Sequence, residues 1–188
     1  MDKYRTGKKT MRTLKYAILG LLYHKSMTGY ELMQQFESAL EEFWSAKHSQ
    51  IYPELKKLTE EGMVSFEVVI SGTALEKKLY TITEKGSKDF LLWLAKEEEM
   101  QTTQKDVFRL RLFFSNLLEP NERTSLIRHE LEQHETRLEK LRENKARYTE
   151  IPDKESNEFS DYLVLMGACM REEKHCEWLK KCLELCKA

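Results

Sequence analysis

Leu14, Ala17, Ile18, Leu21 and Leu22 recur at i, i+3, i+4, i+7 and i+8, a pattern that predicts a short helix with one buried face. Thr28-Gly29-Tyr30-Glu31 reads as a capping box, with Thr28 accepting from the backbone and Glu31 reaching back. The helix it opens buries Leu32, Met33, Phe36, Leu40 and Phe43 or Trp44. Ser49 is the expected N-cap of a third helix, in which Ile51, Leu55 and Leu58 share one face and Gly62 is the stop. Pro53 then falls in the first turn, where its missing N–H is not needed. After Gly62 the period drops to two. Val64, Phe66, Val68 and Ile70 alternate with Ser65, Glu67 and Val69, Ser71-Gly72-Thr73-Ala74 turns the chain, and Leu75–Ile82 returns as a second strand. Thr83 caps a further helix carrying Phe90, Leu91 and Leu94. Three helices followed by a two-stranded ribbon and a helix are the winged form of the helix-turn-helix.

The second half changes character. Beyond the polar break Thr102–Gln104, a helix is expected from about Lys105 to Leu118, with Phe108, Leu112, Phe113 and Phe114. Pro120 starts a long helix in which Ile127, Leu131, His134, Leu138, Leu141, Lys145 and Tyr148 are spaced 4-3-4-3-4-3, a heptad seam. Thr149–Asn157, with Pro152, is a linker, and a last helix begins near Phe159. There Tyr162, Cys169, Cys176 and Leu183 step by seven, as do Leu165, Glu172, Leu179 and Cys186. Two such helices cannot bury their seams alone, so a homodimer in which they pair is expected. The fold class is therefore mainly α: an N-terminal winged helix-turn-helix domain over 12–100 and a C-terminal α-helical dimerisation and effector-response domain over 104–188, with 1–11 a basic N-terminal extension.

Composition narrows the function. The chain has 188 residues, 40% apolar and 34% charged, with seven Gly and three Pro, which favours long helices over Pro-rich disorder. Its longest apolar runs, such as Ala17–Tyr23, are far short of a membrane span, and its polar, basic start does not resemble a signal peptide. A cytoplasmic protein with no membrane partner is expected. The net charge of -1 hides an asymmetry: residues 1–95 hold 14 Lys/Arg against 12 Asp/Glu, and the remainder 17 against 20. Lys3, Arg5, Lys8, Lys9, Arg12 and Lys15 crowd the first fifteen positions, a local basic patch that can face phosphates. All four cysteines lie in the last twenty residues and form no C-x-x-C pair. His175 and Cys176 point about 100° apart on a helix and would not share an ion. Only Cys182 and Cys186, at i,i+4, have chelating spacing. The cysteines are read as small buried side chains kept reduced, and neither a metal nor a cofactor is expected. No phosphate loop, G-x-S-x-G, H-E-x-x-H or paired-carboxylate arrangement is present, so an enzyme is not expected.

A recognition helix meets base edges with its N-terminal turn. Here that turn is Lys47-His48-Ser49-Gln50-Ile51-Tyr52. Gln50 can pair adenine in bidentate fashion, Ser49 can meet several bases, and Tyr52 a phosphate or a thymine methyl. Lys56 points to the backbone, in a field reduced by Glu54, Glu60 and Glu61. Lys77 and Lys78 sit on the wing strand, Arg12 and Lys15 at the first helix, and Tyr30 near the start of the second.

These residues resemble the PadR family of bacterial transcriptional regulators. The resemblance rests on Leu14-Lys15-Tyr16-Ala17-Ile18-Leu19-Gly20-Leu21-Leu22, on Gly29-Tyr30-Glu31-Leu32, and on the run from Phe43-Trp44-Ser45-Ala46-Lys47-His48 through Ser49-Gln50-Ile51-Tyr52-Pro53-Glu54-Leu55 to Leu58. It continues through Gly72-Thr73 and Leu75-Glu76-Lys77-Lys78-Leu79-Tyr80 to Gly86, and more loosely through Tyr162-Leu163-Val164-Leu165, Arg171-Glu172 and Trp178-Leu179. It begins at Met11; the first ten residues have no counterpart. The resemblance implies a dimeric repressor on a palindromic operator. In the family's phenolic-acid-responsive branch, a p-coumarate- or ferulate-type acid binds between the domains, releases the DNA and so controls a phenolic acid decarboxylase gene. The alternative is a regulator of the same type that answers to a different hydrophobic effector, such as a drug or antibiotic. A phenolic acid needs apolar walls, a cation for its carboxylate and a polar group for its phenol. Candidates are Tyr16, Trp93, Arg109, Arg111, Phe114, His129, His134, Asp161 and Tyr162. Trp93 and Phe114 also read as plain core, and His134 as a polar residue that sets the register of the seam.

Overall fold

Helix α1 (Thr13–His24) supplies Ile18, Leu19 and Leu22 to a buried core that Leu32 and Phe36 of α2 (Gly29–Ser38) and Ile51, Leu55 and Leu58 of α3 (His48–Glu60) complete. Burying an aliphatic side chain of this size contributes about 1.5–3 kcal/mol. The computed structural model describes residues 12–38, 40, 44, 47–71, 75–98 and 105–187. The extension over 1–11, Phe43, the turn at Gly72-Thr73-Ala74, the break at Thr102–Gln104 and the side chain of His48 lie outside them. The chain divides into two compact units, Met1–Met100 and Gln101–Ala188.

In the first unit a short strand that periodicity did not reveal, β1 (Met27–Thr28), precedes α2. It pairs antiparallel with β3 (Leu75–Ile82), which also pairs with β2 (Val64–Ser71), giving the order β1-β3-β2. Two residues are too few to show alternation. Thr28 serves both elements: its N–H donates to Glu31 Oε2 at 2.7 Å, and its Oγ1 accepts from the Glu31 N–H at 3.3 Å, the expected capping box. The hairpin has Val64 opposite Ile82, Phe66 opposite Tyr80 and Val68 opposite Lys78. Its apolar face is covered only at the base. Val64 is 2% exposed, whereas Phe66, Val68 and Ile70 rise through 40%, 55% and 76%.

Helix α3 begins at His48, earlier than a cap at Ser49 allows. Lys47 is extended, and its N–H donates to Gln50 Oε1 at 3.1 Å. Pro53 therefore lies in the second turn, and the Ser49 carbonyl receives no i+4 N–H. Gly62 ends the helix at φ +68°, as the sequence implied. Thr83 caps α4 (Glu84–Leu94) by accepting the Gly86 N–H at 3.1 Å. Phe90 packs on the core, but Leu91 and Leu94 are exposed rather than buried.

In the second unit the expected single helix over Lys105–Leu118 is α5 (Val107–Phe113) followed by a 3-10 turn over Ser115–Leu117. The break buries Ser115, whose carbonyl accepts from Arg123 Nε at 3.0 Å. Of its aromatic residues only Phe108 is buried; Phe113 and Phe114 are exposed. The seams of α6 (Pro120–Lys145) and α7 (Asn157–Leu185) close on each other within the one chain. Ile127, Leu131, Leu138 and Cys176 pack with Leu179, and Leu141 packs with Leu165, Ala168 and Cys169. The short connection returns α7 antiparallel along α6, so the seams do not need a second copy to be buried. All four cysteines are free, and burial pushes the thiols of Cys169, Cys176 and Cys182 above their ordinary pKa. Among the described residues no helix is long and apolar enough to cross a membrane.

Candidate nucleic-acid interface

The buried face of α3 sets its exposed one. Ile51, Leu55 and Leu58 are inaccessible, which turns Ser49, Gln50, Tyr52 and Lys56 outward. Lys47 precedes them, exposed, and His48 is the first helical residue. Gln50 is both cap and candidate reader. Its Oε1 accepts from Lys47, but an amide oxygen has a second lone pair and its NH2 has no partner among the described residues, so bidentate pairing with adenine survives the cap. Tyr52 leans on α2, where Gly29 offers backbone in place of a side chain. At the exposed start of α2, the Tyr30 hydroxyl accepts from Gln34 Nε2 at 3.2 Å. Lys56 stands 4.0 Å from Glu60, an exposed i,i+4 pair worth no more than about 0.5 kcal/mol.

The cations at α1 are already occupied. Arg12 Nη2 lies 2.5 Å from Glu54 Oε1, and Arg12 Nη1 2.6 Å from Glu61 Oε1. Burial works against its charge, but the bonds to Glu61 and Glu54 hold the guanidinium above its ordinary pKa. Lys15 is buried, with Nζ 2.7 Å from Asp89 Oδ2 on α4. Both residues tie helices together, and neither presents a free cation to phosphate. The Arg12 pairs also change the field of α3, because Glu54 and Glu61 face a cation rather than bare solvent. Lys77 and Lys78 sit opposite Val69 and Val68, so their side chains leave the wing on opposite faces. Lys78 Nζ lies over the Phe66 ring at 4.1 Å, and Lys77 is half-buried.

The effector candidates fall into separate groups. In the first unit Tyr16 and Trp93 stack, with centroids 4.4 Å apart and planes within 5°. In the second unit Asp161 accepts the Tyr148 hydroxyl, and Tyr162 meets the Tyr148 ring edge-on at 5.6 Å. That bond to Asp161, with burial, raises the Tyr148 pKa. His134, on α6, stacks on His175, which is thirteen residues along α7 from Tyr162 and so about 20 Å from this group. One phenolic acid cannot touch both groups in one chain. His129 and Arg111 are exposed, as is Phe114, whose ring meets Phe113.

Arg109 lines a cleft. Its guanidinium stands 5.6 Å from the Trp178 ring centroid. With Met170, Arg171, Lys174, His175 and Trp178 it lines a hollow of about 500 Å³. A larger hollow of about 800 Å³ is lined by five glutamates, the wrong sign for a carboxylate ligand. The smaller cleft has three cations beside an indole. Arg109 pairs with Asp106 at 3.2 Å and Lys174 with Glu177 at 2.8 Å, exposed pairs of little worth that an incoming carboxylate can displace, so the cleft suits an aromatic acid. Sequence reasoning missed Arg171, Lys174, His175 and Trp178. Their spacing of i, i+3, i+4, i+7 puts them on one face of α7, but no apolar stripe marked it.

Comparison with known proteins bears on both sites. Residues 18–91 match the transcriptional regulator PadR-like family, and residues 104–187 match the virulence activator alpha C-terminal family. Over 178 residues the chain is 42% identical to the negative transcriptional regulator PadR of Bacillus subtilis (strain 168), covering 93% of this chain and 98% of that protein. The crystal structure of Bacillus subtilis PadR in complex with operator DNA matches with a TM-score of 0.89 at 40% identity, covering 93% of this chain and 99% of that one. The same protein in complex with p-coumaric acid matches with a TM-score of 0.85 at 38% identity, covering 94% and 100%.

Proposed function

The chain belongs to the PadR-like family of transcriptional regulators, and on that premise we propose that it is a homodimeric repressor of a palindromic operator, released by a phenolic acid of the p-coumarate or ferulate type. It is a regulator and not an enzyme. Residues 12–100 read the DNA through the exposed turn of α3, and residues 104–188 carry assembly and the effector response. A homodimer is supported by the apolar surface left on α5 and its turn, where Val107, Leu110, Phe113, Phe114 and Leu117 are all more than half exposed. Two copies related by a twofold axis suit a site of the same symmetry.

One observation carries the effector half of this reading: the Arg109, Arg171, Lys174 and Trp178 cleft offers cations for a carboxylate and an indole for a ring. The bound Bacillus subtilis relative supports the same ligand class. Release is linkage. The acid must bind the DNA-incompetent state more tightly, and a thousandfold loss of operator affinity needs about 4.1 kcal/mol of coupling. The operator must weaken acid binding by the same factor. The controlled gene in this reading encodes a phenolic acid decarboxylase.

The test is a titration of phenolic acids and of cationic drugs into the protein bound to DNA from upstream of a decarboxylase gene. Release by p-coumarate or ferulate alone supports the reading. Release by a cationic drug alone transfers the role to a different effector. Equal affinity for p-coumarate with and without operator, measured by calorimetry, overturns the linkage.

A further inference from the structure

We propose that Glu130, His134 and His175 bind a divalent transition cation, of the zinc, cobalt or nickel kind, that staples α6 to α7. Glu130 and His134 stand one turn apart on α6, and α7 lays His175 against them. One donor atom from each of the three lies within 4.8 Å of the other two. His134 Nε2 is 3.4 Å from Glu130 Oε1, and the two imidazoles stack at 3.9 Å with 29° between planes.

Two further features point to a ligand. His134 Nδ1 lies 2.5 Å from Glu172 Oε2. A carboxylate only accepts, so Nδ1 donates to Glu172, which leaves Nε2, facing Glu130, as the nitrogen that would meet a cation. A carboxylate behind a metal-binding histidine fixes its tautomer and orientation in this way. Second, His175 Nε2 is buried without a hydrogen-bond partner among the described residues. A buried polar atom left so is unfavourable, and a bound cation removes that cost.

Metal–nitrogen bonds of about 2.0–2.1 Å in a tetrahedral array bring ligand atoms to within about 3.3 Å of each other. The side chains reach this by rotating, which opens the histidine stack and leaves a fourth position for water. Two imidazoles and one carboxylate select zinc, cobalt or nickel over magnesium or calcium. The cysteines that drew attention in the sequence are not involved; the ligands come together only once α6 and α7 are paired.

The test uses the full chain after chelator treatment, titrated with ZnCl2 by calorimetry and with CoCl2 by absorption, without DNA or phenolic acid. One ion per chain is expected, with the visible cobalt bands of a four-coordinate site, no near-ultraviolet thiolate band, and no response to MgCl2. H134Q and H175Q keep side-chain length and should each weaken binding by about a hundredfold or more, as should E130Q at a half-buried position. E172Q should weaken it by about 10–100-fold. The double variant C182S/C186S should bind as the unaltered chain does. A Kd weaker than about 1 mM, undiminished binding in both histidine variants and in E130Q, or a thiolate band that vanishes in C182S/C186S overturns the proposal.

Discussion

Gly29 carries the ring of Tyr52: a Cβ at position 29 would stand 2.6 Å from Tyr52 Cε1 and 3.1 Å from its hydroxyl. The first residue of one helix thus sets the direction of a side chain on the reading face of another. Gly29→Ala should push Tyr52 aside and lower operator affinity by about tenfold, or about 1.4 kcal/mol. Tyr52→Ala should do the same. The double variant should lose no more than either alone, because both act on one ring. Additive losses in a fluorescence-anisotropy titration would separate the two residues.

Gln50 holds the cap of α3 with its carbonyl oxygen and keeps its amide donors for a base. Gln50→Ala should therefore do two things. It should relax sequence preference by about 1–3 kcal/mol, measured as operator against random DNA. It should also cost about 0.5–1 kcal/mol of folding stability, since the Lys47 N–H loses its acceptor. An equal loss on both DNAs would show that the residue only caps.

Lys56 and Arg12 are both cations of the first unit, but their surroundings assign them different tasks. Lys56 is exposed beside one weak partner, and Arg12 is bonded to two carboxylates. Lys56→Ala should flatten the slope of log K against log salt by about one unit at unchanged stability. Arg12→Ala should leave the slope alone and lower stability by about 1–3 kcal/mol, because Glu54 and Glu61 lose their partner. A slope change in the Arg12 variant would mean that DNA displaces its carboxylates.

The cleft predicts a separation of another kind. Arg109→Ala and Lys174→Ala should each raise the p-coumarate concentration needed for half-release by about tenfold, while operator affinity without the acid stays the same. Asp161→Asn should do neither, since Asp161 accepts from Tyr148 at the other end of the unit. A matching loss in the Asp161 variant would move the acid away from the cleft.

Much of the fold was legible in the sequence because its signals are local. The Thr28 and Thr83 caps, the Gly62 stop and the change from helical to strand period each lie within a few residues and were realised. What was not legible depends on partners distant in sequence. The heptad spacing of α6 and α7 is the same whether a seam closes on a second chain or on its own neighbour, and the short return of the chain decides it. Charge counting read Arg12 and Lys15 as free cations; Glu54, Glu61 and Asp89 lie far along the chain. The cleft was missed because its cations come from α5 and α7, with no motif joining them.

Glu31 gives the fold a measurable response to acid. The Thr28 N–H and hydroxyl both donate to its carboxylate, and these bonds, the backbone one foremost, hold its pKa below the ordinary carboxylate value. A folded-state pKa below the unfolded one adds stability that is present above the unfolded value and is lost as pH falls through the folded one. Glu31→Gln should therefore cost about 0.5–1 kcal/mol at pH 7, the scale of a capping interaction at an exposed helix start. The difference from the unaltered protein should shrink as pH drops below the usual carboxylate range. Denaturant unfolding of both proteins at several pH values reads this directly. A gap that stays constant with pH would mean that the glutamine amide fails the cap for reasons of geometry, with no contribution from the charge.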